Sequence, residues 1–217
     1  MKFLQLKLQA PLQSWGERSR WDSRDTSALP TKSGVIGMLG CCMGLKRGDP
    51  KLEKMDNGLH MAVRVDKPGM PMTDFHTVQT ESGGFPIAAG GKKPGNTILT
   101  PKQYLQDAEY TVWLWGEENL LEECRKVLLH PSWTAYLGRR NCVPAVPLLP
   151  KMLEADSVEE AVRAGAAADT AVEIECLPED KLRGDERLSQ RADGLANAAI
   201  REFRYRTVRS SVIRKEG

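Results

Sequence analysis

Hydrophobic and polar residues alternate along Lys2–Gln9, with Leu4, Leu6 and Leu8 on one side and Phe3, Gln5 and Lys7 on the other. That is the period of a half-buried strand. It returns at Leu59–Asp66, where Leu59, Met61, Val63 and Val65 share a face, and at Asp107–Trp115, "DAEYTVWLW". Shorter signals predict strands over Thr73–Gln79, Thr170–Leu177 and, with many basic residues, Ala198–Arg209. After Pro30-Thr31-Lys32-Ser33-Gly34 an apolar run predicts a helix ending near Leu45, with Thr31 or Ser33 as its N-cap. Gly34, Gly37, Cys41 and Gly44 give this helix one face of very small side chains. Each glycine costs a helix about 1 kcal/mol, so the face is expected to admit another backbone closely. Gly116 breaks the third strand before a helix at Glu117–Leu129 with Leu120, Leu121, Cys124, Val127 and Leu128 inward. Ser157 caps a short alanine-rich helix reaching Ala168. Pro11–Asp25 and Pro131–Pro150 read as loops, and Pro178–Gly194 as a polar, flexible stretch.

The early order is strand, helix, strand, then strand and helix. It predicts an α+β chain on the split β-α-β, ferredoxin-like plan, which RNA-recognition modules also use. Glu81–Thr100 holds seven Gly or Pro residues with Lys92 and Lys93 near its centre, and reads as an excursion or hairpin arm. The expected organisation is a palm over 1–150, the arm inserted at about 81–100, and a small β-rich extension over 151–217.

Composition adds little until it is divided along the chain. Hydrophobic residues make up 41% and charged residues 28% of 217, which excludes a chain disordered throughout. The net charge of +2 hides a segregation. Residues 1–47 carry eight basic against three acidic residues, residues 201–217 six against two, and residues 151–187 five against eleven. Basic ends and an acidic middle suggest an anionic partner on one face, with solvated surface charge as the plainer reading. Five cysteines without a C-x-x-C, and three widely spaced histidines, point to reduced thiols and no zinc site. No metal or other cofactor is expected. The longest apolar run, Val35–Leu45, is about half a membrane span. Lys7, Gln5 and Gln9 interrupt the N-terminal apolar stretch. A soluble, cytoplasmic protein with no membrane partner is expected.

Nucleotide-hydrolysis, serine-hydrolase and zinc-protease motifs are absent, as is the aromatic string of stacking RNA-recognition modules. Lys32-Ser33-Gly34 at a helix start is a candidate phosphate site, because free N–H groups, the helix dipole and the ammonium converge there. An ordinary capped helix with a solvated lysine reads equally from the residues. Arg139-Arg140 adds a basic loop. His76 in "DFHTVQ" has the chemistry of a general base toward a 2′-hydroxyl, or of a hydrogen-bonded strand residue. Trp113 and Trp115 share a strand face and read as core.

Several strings together resemble one family: "PLQSWG" (Pro11–Gly16), "PTKSGVIGMLGCCMG" (Pro30–Gly44), "DFHTVQ" (Asp74–Gln79), "YLQDAEYTVWLW" (Tyr104–Trp115) and "YLGRRNCVP" (Tyr136–Pro144). In this order over about residues 1–150 they resemble the CasD family, the Cas-five subunits of CRISPR Cascade, of type I-E flavour. The resemblance implies a non-enzymatic subunit gripping the 5′ handle of the crRNA, with a ferredoxin-like palm and a β-hairpin thumb at Glu81–Thr100 packed on a backbone subunit. The large subunit is a further expected partner, and target DNA is reached only through the assembled complex. Expected RNA-binding residues are Gln13, Ser14, Trp15, Arg18, Lys32, Ser33, His76, Thr77, Arg139 and Arg140. The alternative is a metal-independent endoribonuclease of the type I-C kind, using His76 with Lys92 or Lys93 and Tyr104, although no adjacent Lys-His pair occurs. A purely structural assembly subunit is the third possibility.

Overall fold

The computed structural model describes residues 1–17, 24–78, 98–167, 169–178, 180 and 186–213. Among them the palm begins with β1 (Lys2–Gln9) and the short β2 (Leu12–Gln13), followed by α1 (Lys32–Cys42) and α2 (Pro50–Gly58). The strands β3 (Leu59–Lys67), β4 (Met70–Val78), β5 (Ile98–Gln106) and β6 (Glu109–Gly116) come next, then α3 (Glu118–Leu129). The remainder is β7 (Lys151–Glu154), α4 (Val158–Arg163), β8 (Thr170–Glu175), β9 (Arg187–Asn197) and β10 (Glu202–Ile213).

Seven strands form one sheet in the order β7-β1-β6-β3-β8-β10-β9. The first four, joined through α1 and α3 and antiparallel at each pairing, reproduce the β-α-β-β-α-β order of a ferredoxin-like palm. Alternation decides which face each strand gives to which layer. Leu4, Leu6, Leu8, Met61, Val63 and Val112 pack against α1 and α3 through Val35, Leu39, Leu120 and Cys124. Phe3, Ala62, Trp113 and Trp115 point the other way, onto Val158, Ala161 and Val162 of α4. Fully burying a large aliphatic side chain stabilises by roughly 1.5–3 kcal/mol, so these two layers supply most of the driving force.

The second sheet, β2-β5-β4, leaves the palm as an arm. β4 and β5 pair antiparallel from Met70↔Gln106 to Val78↔Ile98, which makes them the stem of a hairpin. The expected thumb at 81–100 lies outside the described residues except for 98–100, which belong to β5.

Several elements differ from expectation for identifiable reasons. α2 has few apolar residues to mark it, and is set by Asp49, whose side chain accepts from Lys51 N, with Pro50 in the first turn. The helix capped by Ser157 stops at Arg163, and α1 stops at Cys42. The flexible stretch expected up to Gly194 contains most of β9, whose Arg191 and Asp193 are buried charged residues. The last strand runs Glu202–Ile213 rather than Ala198–Arg209. In α1 the small face is used unevenly. A Cβ on Gly34 would lie 2.9 Å from the Trp15 ring, while Gly37 faces open space.

Candidate nucleic-acid interface

Three of the motif strings meet in one place. Ser14 N donates to the Leu137 carbonyl at 3.1 Å, so the segment after β2 runs beside the loop at 136–142. Gly138 sits at φ +93, and a Cβ there would fall 1.6 Å from the Ser14 carbonyl oxygen, so only glycine allows this approach. Trp15 is buried against Gly34 of α1 and donates Nε1–H to Gln13 Oε1 at 3.1 Å. Gln13 in turn donates to the Ala108 carbonyl at 2.7 Å. Gln13, Ser14 and Trp15, expected on the RNA, therefore bury their side chains in joining α1, β5 and the later loop. Arg18, beside them in sequence, lies outside the described residues.

The start of α1 is also closed. Lys32 is buried, and its Nζ donates to Glu175 Oε1 at 3.0 Å. Its backbone N–H donates to Asp193 Oδ2 at 2.8 Å, so a carboxylate from β9 occupies the place where a phosphate was expected. Thr31, at the N-cap, makes no side-chain capping bond. Glu175 also accepts from Met61 N at 3.1 Å and lies 3.3 Å from His60 Nδ1. Burial alone would raise the Glu175 carboxyl, but the His60 hydrogen bond and the Lys32 and Arg206 charges bring it down to about 2. Arg206 grips Asp193 with two bonds of 2.7 and 3.0 Å, and Arg191 holds Glu173 through Nη1. Sequence reasoning missed this network. The available signal was Glu173 and Glu175 two apart on an apolar strand, which puts two carboxylates on one face.

Arg139 and Arg140, adjacent in sequence, part ways. Arg139 donates to the carbonyls of Gln103 at 2.8 Å and Arg24 at 3.1 Å, and its guanidinium lies 4.6 Å over the Tyr104 ring. It fastens the loop to the arm. Arg140 is exposed, and Ser33 half-buried. On the arm, Asp74 and His76 share a face with Lys102 and Tyr104 by register. His76 Nε2 lies 2.5 Å from Asp74 Oδ2, and Lys102 Nζ lies 3.0 Å from His76 Nδ1. An ammonium only donates, so Nδ1 accepts from Lys102 and Nε2–H donates to Asp74; both ring nitrogens are engaged. Tyr104 is buried and its hydroxyl accepts from Asn141 Nδ2 at 3.1 Å. Thr77 is exposed on the opposite face of β4, while Lys92 and Lys93 lie outside the described residues. Among the described residues no cluster suits a metal ion.

The molecule is thus an α+β, ferredoxin-like palm with a hairpin arm rooted in its central strands, and its motif loops spend most of their polar groups on packing. The chain belongs to the family described as CRISPR-associated protein (Cas_Cas5), whose model matches residues 3–209. It is 33% identical over 172 residues to the CRISPR system Cascade subunit CasD of Escherichia coli (strain K12), a match covering 74% of this chain and 75% of that one. It also resembles a chain of a CRISPR RNA-guided surveillance complex, with 33% identity and a TM-score of 0.73 over 97% of this chain and 90% of the other. A Cas protein crystal structure matches at 32% identity and a TM-score of 0.71, covering 98% and 95%.

Proposed function

We propose that this chain is the CasD-type subunit of a type I CRISPR Cascade complex, gripping the 5′ handle of the crRNA and capping the protein backbone in antiviral defence. The observation that carries this is the near full-length likeness, at 33% identity, to a chain of an RNA-guided surveillance complex. The exposed Arg140, with Ser33 and the arm residues His76, Thr77 and Lys102, supplies the handle contacts. Arg139, Gln13, Ser14, Trp15 and Lys32 act behind them by holding the surface in shape. The palm expected over 1–150 takes its fourth strand from β7 and carries the handle, and the rest of the extension over 151–217 buttresses it.

The reading is non-catalytic. A general base needs a ring nitrogen free for the 2′-hydroxyl, and the engagement of both His76 nitrogens supports a positioning role. Among the described residues, the Asp74–His76–Lys102 set favours the endoribonuclease reading. One experiment addresses both. Labelled repeat RNA is titrated with the chain in EDTA across a salt series. Arg140→Ala should weaken binding about fivefold and reduce the slope of log K against log salt by about 1. Unchanged affinity and slope would remove Arg140 from the interface. Cleavage by the wild type that disappears in His76→Ala would replace the binding reading with a nuclease.

A further inference from the structure

The tryptophans are not all spent on the core. Trp15, Trp113 and Trp115 are buried, whereas Trp133 is 51% exposed. Its exposure is not that of a loose chain. The Ser132 N–H donates to the Cys42 carbonyl at 2.8 Å, and the Thr134 carbonyl accepts from Cys41 Sγ at 3.6 Å. The residues on either side of Trp133 are thus fastened to the last turn of α1, and the indole is held outward between two anchors. Among the described residues its ring meets no other ring and its N–H no acceptor. A planar apolar face with no use inside the chain, on a fixed backbone, has the geometry of a stacking platform.

Two neighbours on the same side of α1 complete the site. Arg140 is exposed and has no ion-pair partner among the described residues. Burial raises the Cys41 thiol and the Arg140 charge opposes it, so the guanidinium stands close to the turn that anchors Trp133. One turn before Cys41 lies Gly37, exposed in the middle of the helix. A Cβ on Gly34 or Gly40 would strike Trp15 or Leu52, but on Gly37 it would meet nothing within 4 Å. Glycine is costly beside alanine in a helix interior, and no contact among the described residues offsets that cost at position 37. What the position offers is approach, because an outside backbone can lie directly on the helix there.

The three residues together specify the occupant. An unpaired guanidinium calls for an anion, an open indole for a flat ring, and bare helix backbone for a slender chain pressed close. A nucleotide of single-stranded RNA supplies phosphate, base and sugar in turn. A duplex does not, because its bases are already stacked on one another. We propose that Gly37, Trp133 and Arg140 form a subsite for one unstacked nucleotide of the crRNA, with its sugar-phosphate on Gly37 and Arg140 and its base on Trp133. The proposal rests on the reading of this chain as the holder of the 5′ handle, and adds a stacking residue to that surface.

The test uses the full chain and labelled repeat RNA. Trp133→Ala should weaken binding about tenfold, within the range for one stacked base, while Trp133→Phe stays within about threefold of wild type. Gly37→Ala separates binding from folding. Alanine favours the helix and meets no neighbour, so this variant should melt no lower than wild type yet bind the RNA about tenfold more weakly. An RNA series carrying one abasic nucleotide, moved along the handle a position at a time, supplies an independent arm. At one position the missing base should weaken binding to wild type but not to Trp133→Ala. Wild-type affinity in either Gly37→Ala or Trp133→Ala, or the same abasic losses in wild type and Trp133→Ala, would overturn the subsite and leave the handle reading standing. A lower melting temperature for Gly37→Ala would show that the chain itself uses the glycine, and would overturn the subsite too. Repeat RNA left unbound by the wild type, alone and co-expressed with the other subunits, would sink the handle reading and the subsite together.

Discussion

Glu175 gathers Lys32, His60, the Met61 N–H and, at 3.8 Å, Arg206 around one buried carboxylate. Removing a single partner from such a set leaves a charge without compensation, which costs about 3–5 kcal/mol. Lys32→Met should therefore lower stability by about 3 kcal/mol at pH 7 in urea unfolding. The acid limb follows from the carboxyl itself. Its folded value of about 2 lies below the ordinary 4.5, so its contribution is complete above pH 4.5 and is lost as pH falls toward 2. Glu173 has the opposite sign, since burial raises it against the pull of Arg191 and Arg206, and its charged form opposes folding. Glu175→Gln should flatten the loss of stability between pH 4.5 and 2. A Lys32→Met variant with an unchanged midpoint but weaker RNA binding would return this lysine to the surface role. Sequence context does not separate these roles, because a lysine at a helix start looks the same whether it meets solvent or a carboxylate 143 residues away.

At the level of elements, β1, β3, β6 and α3 were legible because each buries one face and exposes another, so the period survives in the sequence. β9 was not, because its inward residues Arg191 and Asp193 are charged and its first four residues are exposed. The loops were hardest to read. "PLQSWG" and "YLGRRNCVP" have the polar look of a binding surface, yet Gln13, Trp15 and Arg139 spend their hydrogen bonds on Ala108, Gln13 and the Gln103 and Arg24 carbonyls. Which polar residues remain for a ligand depends on contacts far apart in sequence. Gly138 is the point at which the two loops depend on each other. Gly138→Ala must drive the Ser14 carbonyl away and hold alanine at φ +93. Stability should fall by about 2 kcal/mol or more, read as a lower denaturation midpoint. A midpoint within experimental scatter of wild type would show that the loops can part without cost.

Across the whole molecule, the segregated charges find each other. The acidic stretch and the basic tail become β8 and β10, paired antiparallel from Thr170↔Ile213 to Glu175↔Val208. Arg206 reaches Glu173, Glu175 and Asp193, and Arg209 reaches Glu159 and Glu186. The tail's arginines thus pair with four carboxylates of the acidic stretch, Glu159, Glu173, Glu175 and Glu186. A chain ended after Arg201 would take Arg206 away from Glu173, Glu175 and Asp193, and leave β8 and β9 without the strand between them. It should lose soluble yield and cooperative unfolding by circular dichroism. Retention of the full-length midpoint would show that β10 adds nothing to the stability of the palm.

The arm is continuous with the middle of the palm. β3 ends at Lys67 and β4 starts at Met70, while β5 ends at Gln106 and β6 starts at Glu109. Only short joints intervene, one at Gly69, where a Cβ would lie 2.8 Å from that of Ala108, and one at Asp107 with φ +54. β6 and β3 lie inside the seven-stranded sheet, flanked on both sides. The arm is therefore a lever whose fulcrum is the most deeply anchored part of the molecule. A load on the described stem at Val78 and Ile98 would enter the palm through two tight joints, at strands flanked on both sides.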